Sequence, residues 1–140
     1  MNILTVSKYI LDAHTLIWYM EGHPKMGHQA KDVIDALDSQ LVLPLIALIE
    51  AMFVIEKGRT SLPSASQFFQ RIQQDKRIEI YEITLEIFQR SLQPDAQKVP
   101  ELHDRLIVST GLYLQDLGHE VVILTKDTKI IQADVLPVIW

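Results

Sequence analysis

Four acidic side chains stand where an α/β protein could place metal-dependent chemistry. Asp12 and Asp127 each follow closely on an apolar run, and Asp104 begins a segment with helical apolar spacing. Glu50 is the only charged residue in the apolar stretch 41–55. Carboxylates that share one crevice repel one another unless a divalent cation neutralises them, and an all-oxygen donor set favours Mg²⁺ or Mn²⁺. Such a site suits phosphoryl chemistry, because the metal activates water and stabilises charge on the phosphate.

Each of these acids also has a purely structural interpretation. Asp12 and Asp127 are suited to cap the helices that follow them, since aspartate accepts hydrogen bonds from free helical amides. Asp104 would be stabilised by a helix dipole in any first turn. Glu50, on an apolar helix, would need a buried Lys or Arg partner if no metal met it. One acid alone is therefore ambiguous, and the set of four indicates a shared site.

Alternating strands and helices must position these residues. Apolar runs and alternation predict strands over 9–11, 41–43, 78–83, 121–124 and 135–139. Helical spacing predicts helices over 15–21, 28–37, 45–56, 64–74, 84–92, 102–117 and 128–133. We therefore expect one domain over 1–140, a three-layer α/β/α fold with a central, mostly parallel sheet of four to five strands. Ligands of such sheets bind outside the carboxyl ends of the strands, which is where Asp12 and Asp127 fall.

Composition narrows the class of protein further. The chain has 140 residues, a net charge of −5 and no cysteine, so thiol chemistry, disulfides and thiolate metal sites are excluded. The negative net charge argues against a broad basic surface that binds nucleic acid. It does not exclude a nuclease, because a cluster of metal-binding acids also makes the net charge negative. No apolar run approaches the roughly 20 residues that span a bilayer, so no membrane association is expected. Residues 1–8 lack the features of a signal peptide, and we expect a cytoplasmic protein.

Five segments, in order along the chain, resemble one family. They are Ile-Leu-Asp-Ala-His-Thr-Leu-Ile-Trp at 10–18, Leu-Ile-Ala-Leu-Ile-Glu at 45–50 with Lys-Gly-Arg at 57–59, His-Asp-Arg-Leu-Ile-Val-Ser-Thr at 103–110, Leu-Thr-Lys-Asp at 124–127, and Pro-Val-Ile-Trp at 137–140. Together they cover essentially the whole chain. The chain resembles the PIN-domain ribonucleases, and specifically the VapC-like toxins of bacterial and archaeal toxin–antitoxin pairs.

The resemblance implies a PIN-like fold and a Mg²⁺- or Mn²⁺-dependent endoribonuclease that inhibits translation by cutting RNA. It implies that Asp12 and Asp104 are the core metal ligands, that Asp127 holds the metal directly or through water, and that Glu50 completes the catalytic pocket. A cognate antitoxin protein would silence the enzyme by occupying the site and the adjacent groove. A homodimer is also expected.

Other residues have weaker assignments. Thr125, Arg105 and Arg59 are candidate substrate contacts, while Trp18 is interpreted as a core or dimer contact. Many relatives have a further Asp shortly before the Asp104–Arg105 pair, and Glu101 is the acid nearest to that position here.

Two other functions are compatible with part of the pattern. A catalytically silent PIN-like module would bind RNA or a partner without cutting, but an isolated buried carboxylate such as Glu50 is costly without its metal. A phosphoaspartyl phosphatase also places an Asp after its first strand. That chemistry usually needs a second Asp two residues later, and this sequence has His14 there.

Overall fold

The fold is built on a five-stranded sheet whose strands all run parallel. The structure is a computed structural model that describes residues 7–140. Its strands are β1 (Lys8–Leu11), β2 (Gln40–Pro44), β3 (Ile78–Tyr81), β4 (Val121–Leu124) and β5 (Val138–Ile139), in the order β3-β2-β1-β4-β5. The predicted parallel α/β fold is confirmed. The predicted domain also includes residues 1–6, which lie outside the described residues.

The three central strands form the middle of the core. Their side chains are buried on both faces of the sheet, which is why their sequences are nearly continuous apolar runs and not alternating ones. The fully buried strand residues are Ile10, Leu11, Leu41, Val42, Leu43, Ile123 and Leu124.

Helices cover both faces of this sheet and give the three-layer α/β/α architecture. Within residues 7–140 they are α1 (Ala13–Glu21), α2 (His28–Asp35), α3 (Leu45–Glu56), α4 (Ala65–Gln74), α5 (Leu85–Ser91), α6 (Leu102–Asp116) and α7 (Thr128–Ala133), with one 3₁₀ turn at Ala96–Lys98. Helix α1 packs against α3, and α6 packs on α3, α5 and β4. None of the helices in this described range is long and apolar enough to cross a membrane.

The strand order creates a topological switch point between β1 and β4. From β1 the chain runs outward through β2 to β3, then returns through α5 and α6 to place β4 on the other side of β1. Connections leave the two neighbouring strands in opposite directions, which opens a crevice at their carboxyl ends. The register pairs Leu11 with Leu124, so Asp12 and Thr125 follow side by side.

Helix α6 packs closely against the sheet at Gly111. A Cβ atom on Gly111 would lie 2.7 Å from Leu136 Cδ1 and 3.3 Å from Ile10 Cγ1. A larger residue would force the Leu136 side chain to move and would crowd Ile10. This packing sets the position of α6 and of the acid in its first turn.

The structure corrects three details of the predicted elements. Helix α2 ends at Asp35, and Leu37 is 90% exposed and not part of an apolar face, because the backbone becomes extended at Ala36. Strand β5 is restricted to Val138–Ile139, since Pro137 cannot donate to a ladder. Helix α3 is apolar on nearly all sides but is not buried on all sides, because Ile49 and Phe53 are exposed.

Candidate active site

The four predicted acids line one cleft at the carboxyl edge of the sheet. Its volume is about 330 Å³, and Asp12, Glu50, Asp104 and Asp127 all face it. They come from the ends of β1 and β4, the middle of α3 and the first turn of α6. The remaining lining residues are Ala13, His14, Thr15, Trp18, Ile107, Lys126 and Trp140. Segments more than a hundred residues apart in sequence thus form one site.

Asp12 is held by hydrogen bonds to both of its carboxylate oxygens. Oδ1 accepts from the backbone N–H of Thr15 at 2.8 Å, which makes Asp12 the N-cap of α1, as the structural interpretation predicts. Oδ2 accepts from the hydroxyl of Thr125. Each carboxylate oxygen has two acceptor positions, so capping leaves Asp12 able to bind a further ligand. The side chain is therefore fixed in direction before any ligand arrives.

Thr125 links Asp12 to Asp127. Its side chain is fully buried, and its Oγ1 accepts from the Asp127 backbone N–H at 3.1 Å while donating to Asp12. Asp127 Oδ1 caps α7 by accepting from Lys129 N–H at 2.8 Å and Ile130 N–H at 3.2 Å. A substrate contact of Thr125 stays a prediction, and Thr125 does not line the cleft. Through these hydrogen bonds, Thr125 is positioned to orient Asp12 and Asp127.

Removing this hydroxyl tests the orienting role. We expect Thr125→Val to weaken Mn²⁺ binding by about 10–100-fold, the usual cost of losing a group that orients a metal ligand. Thr125→Ser, which keeps the hydroxyl, should bind Mn²⁺ nearly as the wild type does. Calorimetric titration measures both, with circular dichroism to establish that the variants are folded. Equal Mn²⁺ affinity in Thr125→Val and the wild type would contradict this role.

Glu50 lies half-buried on α3 with its carboxylate toward the cleft. Burial first, and then the negative charge of Asp104, raise the pKa of Glu50 to about 7, while His103 opposes the shift. His103 Nδ1 lies 3.5 Å from Glu50 Oε1. No Lys or Arg within residues 7–140 forms the ion pair that the structural interpretation required. A carboxylate with so little compensating charge is suited to receive a cation or a proton.

Asp104 lies in the first turn of α6, close to other acidic side chains. Burial, followed by the charges of Asp127, Glu101 and Asp12, raises the pKa of Asp104 to about 6. Its backbone N–H donates to Glu101 Oε2 at 2.9 Å, so Glu101 is the N-cap of α6. Glu101 is exposed and does not line the cleft. Its position accounts for an acid here without any direct part in the site.

The two predicted arginine contacts lie outside the cleft lining. Arg105 Nε donates to the carbonyl of Val99 at 2.9 Å, and Nη2 donates to that of Pro100 at 3.2 Å. Arg105 thereby ties α6 to the segment before it. Arg59 is exposed beyond the end of α3. Contact of either residue with a substrate stays a prediction.

The sequence interpretation missed the aromatic wall of the cleft. His14, Trp18, Lys126 and Trp140 line the cleft, and Trp18 also packs against the core, as predicted. The Lys126 Nζ atom lies 5.2 Å from the centre of the Trp18 ring. The available signal was the spacing of His14 and Trp18, four residues apart on the helix that Asp12 caps, which places both on one face beside it.

The donor chemistry of the cleft fits Mg²⁺ or Mn²⁺. All four acids offer hard oxygen ligands. Burial first, and then neighbouring carboxylates, raise the pKa values of Glu50 and Asp104, and a divalent cation would stabilise their charged forms. Within residues 7–140, no three Asp, Glu or His side chains lie close enough together to enclose one ion as they are placed. The fit therefore rests on the type of donor and on charge.

The fold and cleft define a parallel α/β domain with a carboxylate site at its topological switch point. The chain belongs to the PIN domain family, which matches residues 9–136. Its fold is similar to a toxin–antitoxin complex from Klebsiella pneumoniae, with 20% identity, TM-score 0.67 and coverage of 96% of both chains.

Two further solved structures have the same fold. VapBC2 from Rickettsia felis bound to a DNA fragment from their promoter has 15% identity and TM-score 0.66, with 94% of this chain and 97% of that chain covered. VapBC-1 from nontypeable Haemophilus influenzae has 22% identity and TM-score 0.60, with 94% and 96% covered. A comparison with curated protein sequences finds no significant match. At these identities the similarity establishes the fold.

Proposed function

We propose that this protein is a metal-dependent endoribonuclease that hydrolyses phosphodiester bonds in RNA. The observation that carries the proposal is the convergence of Asp12, Glu50, Asp104 and Asp127 in one cleft at the switch point. A purely structural set of helix caps would have no reason to face one another, since each such cap needs only its own helix. Membership of the PIN domain family supports the same reaction class.

The four acids would have different roles, according to their positions in the cleft. Asp12, Asp104 and Asp127 would hold the Mg²⁺ or Mn²⁺, and Glu50 would complete the pocket as a ligand or as a proton acceptor. Bound metal would supply an activated water and stabilise charge on the scissile phosphate. With a pKa raised to about 7, Glu50 is matched to accepting a proton at neutral pH. Thr125 would keep Asp12 and Asp127 aligned.

We propose further that the protein is the toxin of a toxin–antitoxin pair, acting in the cytoplasm to inhibit translation by cutting RNA. The similar structures from Klebsiella pneumoniae, Rickettsia felis and Haemophilus influenzae are described as toxin–antitoxin or VapBC complexes. A cognate antitoxin and a second copy of the chain are the expected partners. The exposed Ile49 and Phe53 of α3, beside a groove that also includes Met52 and Phe69, would be covered in such assemblies.

Removal of metal gives the direct test of this proposal. We expect purified protein to cut single-stranded RNA in Mg²⁺ or Mn²⁺, to stop in excess EDTA, and to recover when metal is restored. Asp104→Asn, purified identically, should cut about 10²–10³-fold more slowly, because a metal ligand supports several kcal/mol of transition-state stabilisation. Asp38→Asn, which changes an exposed acid outside the cleft, is the matched control. Cleavage at equal rates by Asp104→Asn and wild type would contradict the proposed mechanism.

A further inference from the structure

The cleft contains a group of side chains that the proposed hydrolysis does not use. Trp18, Trp140 and Lys126 line the wall next to the acids. We propose that these three residues form a nucleotide subsite, in which an unpaired base of the RNA stacks on Trp18 with its edge toward Trp140, while the flexible Lys126 side chain moves from the Trp18 ring to an adjacent phosphate. This inference rests on the proposed nuclease function, because it assigns the substrate segment that this cleft takes.

The two indoles form a preorganised aromatic wall. Their ring centres lie 6.0 Å apart with the planes at 60°. His23 stacks on Trp18 at 4.9 Å with the planes 14° apart, and His23 does not line the cleft. Trp18 is thus supported by His23, which lies outside the cleft, while Trp18 itself lines the cleft. An aromatic side chain already held in place loses little conformational entropy when a ligand binds.

Trp140 is positioned by a close backbone contact. A Cβ atom on Gly27 would lie 2.6 Å from both Cγ and Cδ2 of the Trp140 indole, and nearer still to the Trp140 carbonyl carbon. Only glycine at the start of α2 leaves room for the tryptophan. The indole is therefore packed on the main chain beside the cleft and is not a freely moving surface group.

Lys126 supplies the positive charge that an acidic cleft lacks. Its ammonium group lies over the Trp18 ring and, within the described residues, forms no ion pair with a carboxylate. The chain carries a net charge of −5, so a polyanion needs a local cation to approach the acids. Lys126 stands two residues after Leu124 on the same turn as Asp127, which places a phosphate contact next to the proposed metal ligands.

The chemistry of this wall selects unpaired nucleotides. The faces of bases in a duplex are covered by their neighbours, whereas a base in a single strand or loop offers a free face to an aromatic ring. Each stacked base typically accounts for about 5- to 150-fold in affinity when the aromatic residue is changed to alanine. A preference for single-stranded over duplex RNA follows.

Intrinsic fluorescence tests the subsite directly, because Trp18 and Trp140 are the only two tryptophans in the chain. In EDTA, where no cutting is expected, a short single-stranded RNA should quench the emission to saturation. The same strand annealed to its complement should quench only at much higher concentration. A strand of the same length made of abasic nucleotides should also bind far more weakly. Equal quenching by the intact and abasic strands would overturn base stacking.

Substitutions separate the parts of the subsite. Trp18→Ala is expected to weaken binding of the RNA by about 5- to 150-fold, whereas Trp18→Phe should keep most of the affinity. Lys126→Ala should weaken binding and lower the slope of log affinity against log salt by about one. Phe88→Ala is the matched control, because Phe88 is an exposed aromatic residue on α5 outside the cleft. Circular dichroism and calorimetric Mn²⁺ titration should give wild-type results for Trp18→Ala.

Failure of the subsite is distinguishable from failure of the nuclease. Metal-dependent cleavage with unchanged RNA affinity in Trp18→Ala and Lys126→Ala would overturn the subsite and leave the nuclease proposal intact. Absence of cleavage, together with the predicted losses in Trp18→Ala and Lys126→Ala, would overturn the nuclease and support the subsite as an RNA-binding surface.

Discussion

Replacing Asp12 by Asn is expected to abolish calorimetric Mn²⁺ binding and to slow RNA cleavage by about 10²–10³-fold or more, since the change removes one charged ligand from the centre of the cleft. The fold should survive. Asparagine caps helices about as well as aspartate does, so the hydrogen bond from Thr15 N–H can be kept. What is lost is the negative charge that faces the cleft. This separates the metal-binding role of Asp12 from its structural role.

The matched comparison for Asp12→Asn is Asp38→Asn, which removes the same charge from an exposed position outside the cleft. The control should bind Mn²⁺ and cut RNA as the wild type does. Thermal unfolding followed by circular dichroism checks that both variants are folded. Unchanged Mn²⁺ binding by Asp12→Asn would contradict the assignment of Asp12 as a metal ligand, whatever the cleavage rate.

Replacing Glu50 by Gln is expected to raise thermal stability in EDTA at pH 8 while lowering activity. In the folded protein Glu50 has a pKa of about 7, against an ordinary value of 4.5. The native state therefore binds more protons than the unfolded state between these values, and the free energy of unfolding falls as pH rises through this window. Glutamine cannot ionise, so the Glu50→Gln variant does not lose this part of its free energy of unfolding as pH rises. We expect a gain in Tm on the order of 3 °C at pH 8, which shrinks toward pH 5.

Glu56→Gln provides the control for Glu50→Gln, because Glu56 is an exposed residue on the same helix. Scanning calorimetry at pH 5 and pH 8 gives the comparison. If Glu50→Gln changed Tm equally at pH 5 and pH 8, ionisation of Glu50 would not be the cause of the change in stability. Repeating the pH 8 measurement with Mn²⁺ should stabilise the wild type more than Glu50→Gln, since bound metal would neutralise the charge that the substitution removes.

The expected behaviour of Glu50 illustrates a conflict between stability and function. A carboxylate that is half-buried beside Asp104 is unfavourable for the fold on its own. Natural sequences keep such residues where the chemistry requires them. The unfavourable placement of Glu50 on an apolar helix was visible in the sequence, and for this reason it was the most informative of the four acids.

Much of this protein is determined by local sequence. The apolar runs before Asp12 and Asp127 become β1 and β4, and the helices begin and end within one or two residues of the predicted limits in most cases. The caps formed by Asp12 and Asp127 follow from hydrogen bonding within a few residues. These features depend on near neighbours along the chain, so periodicity and side-chain chemistry are enough to predict them.

Only the tertiary structure decides which elements meet. No local signal pairs β1 with β4, yet this pairing places Thr125 against Asp12 and creates the switch point. Trp18 likewise contacts Lys126 and Trp140, which are remote in sequence. Periodicity reports which face of an element is apolar but not what packs against it. The acids and a site shared among them were therefore predictable as candidates, while the geometry of the cleft and its aromatic wall follow from long-range packing.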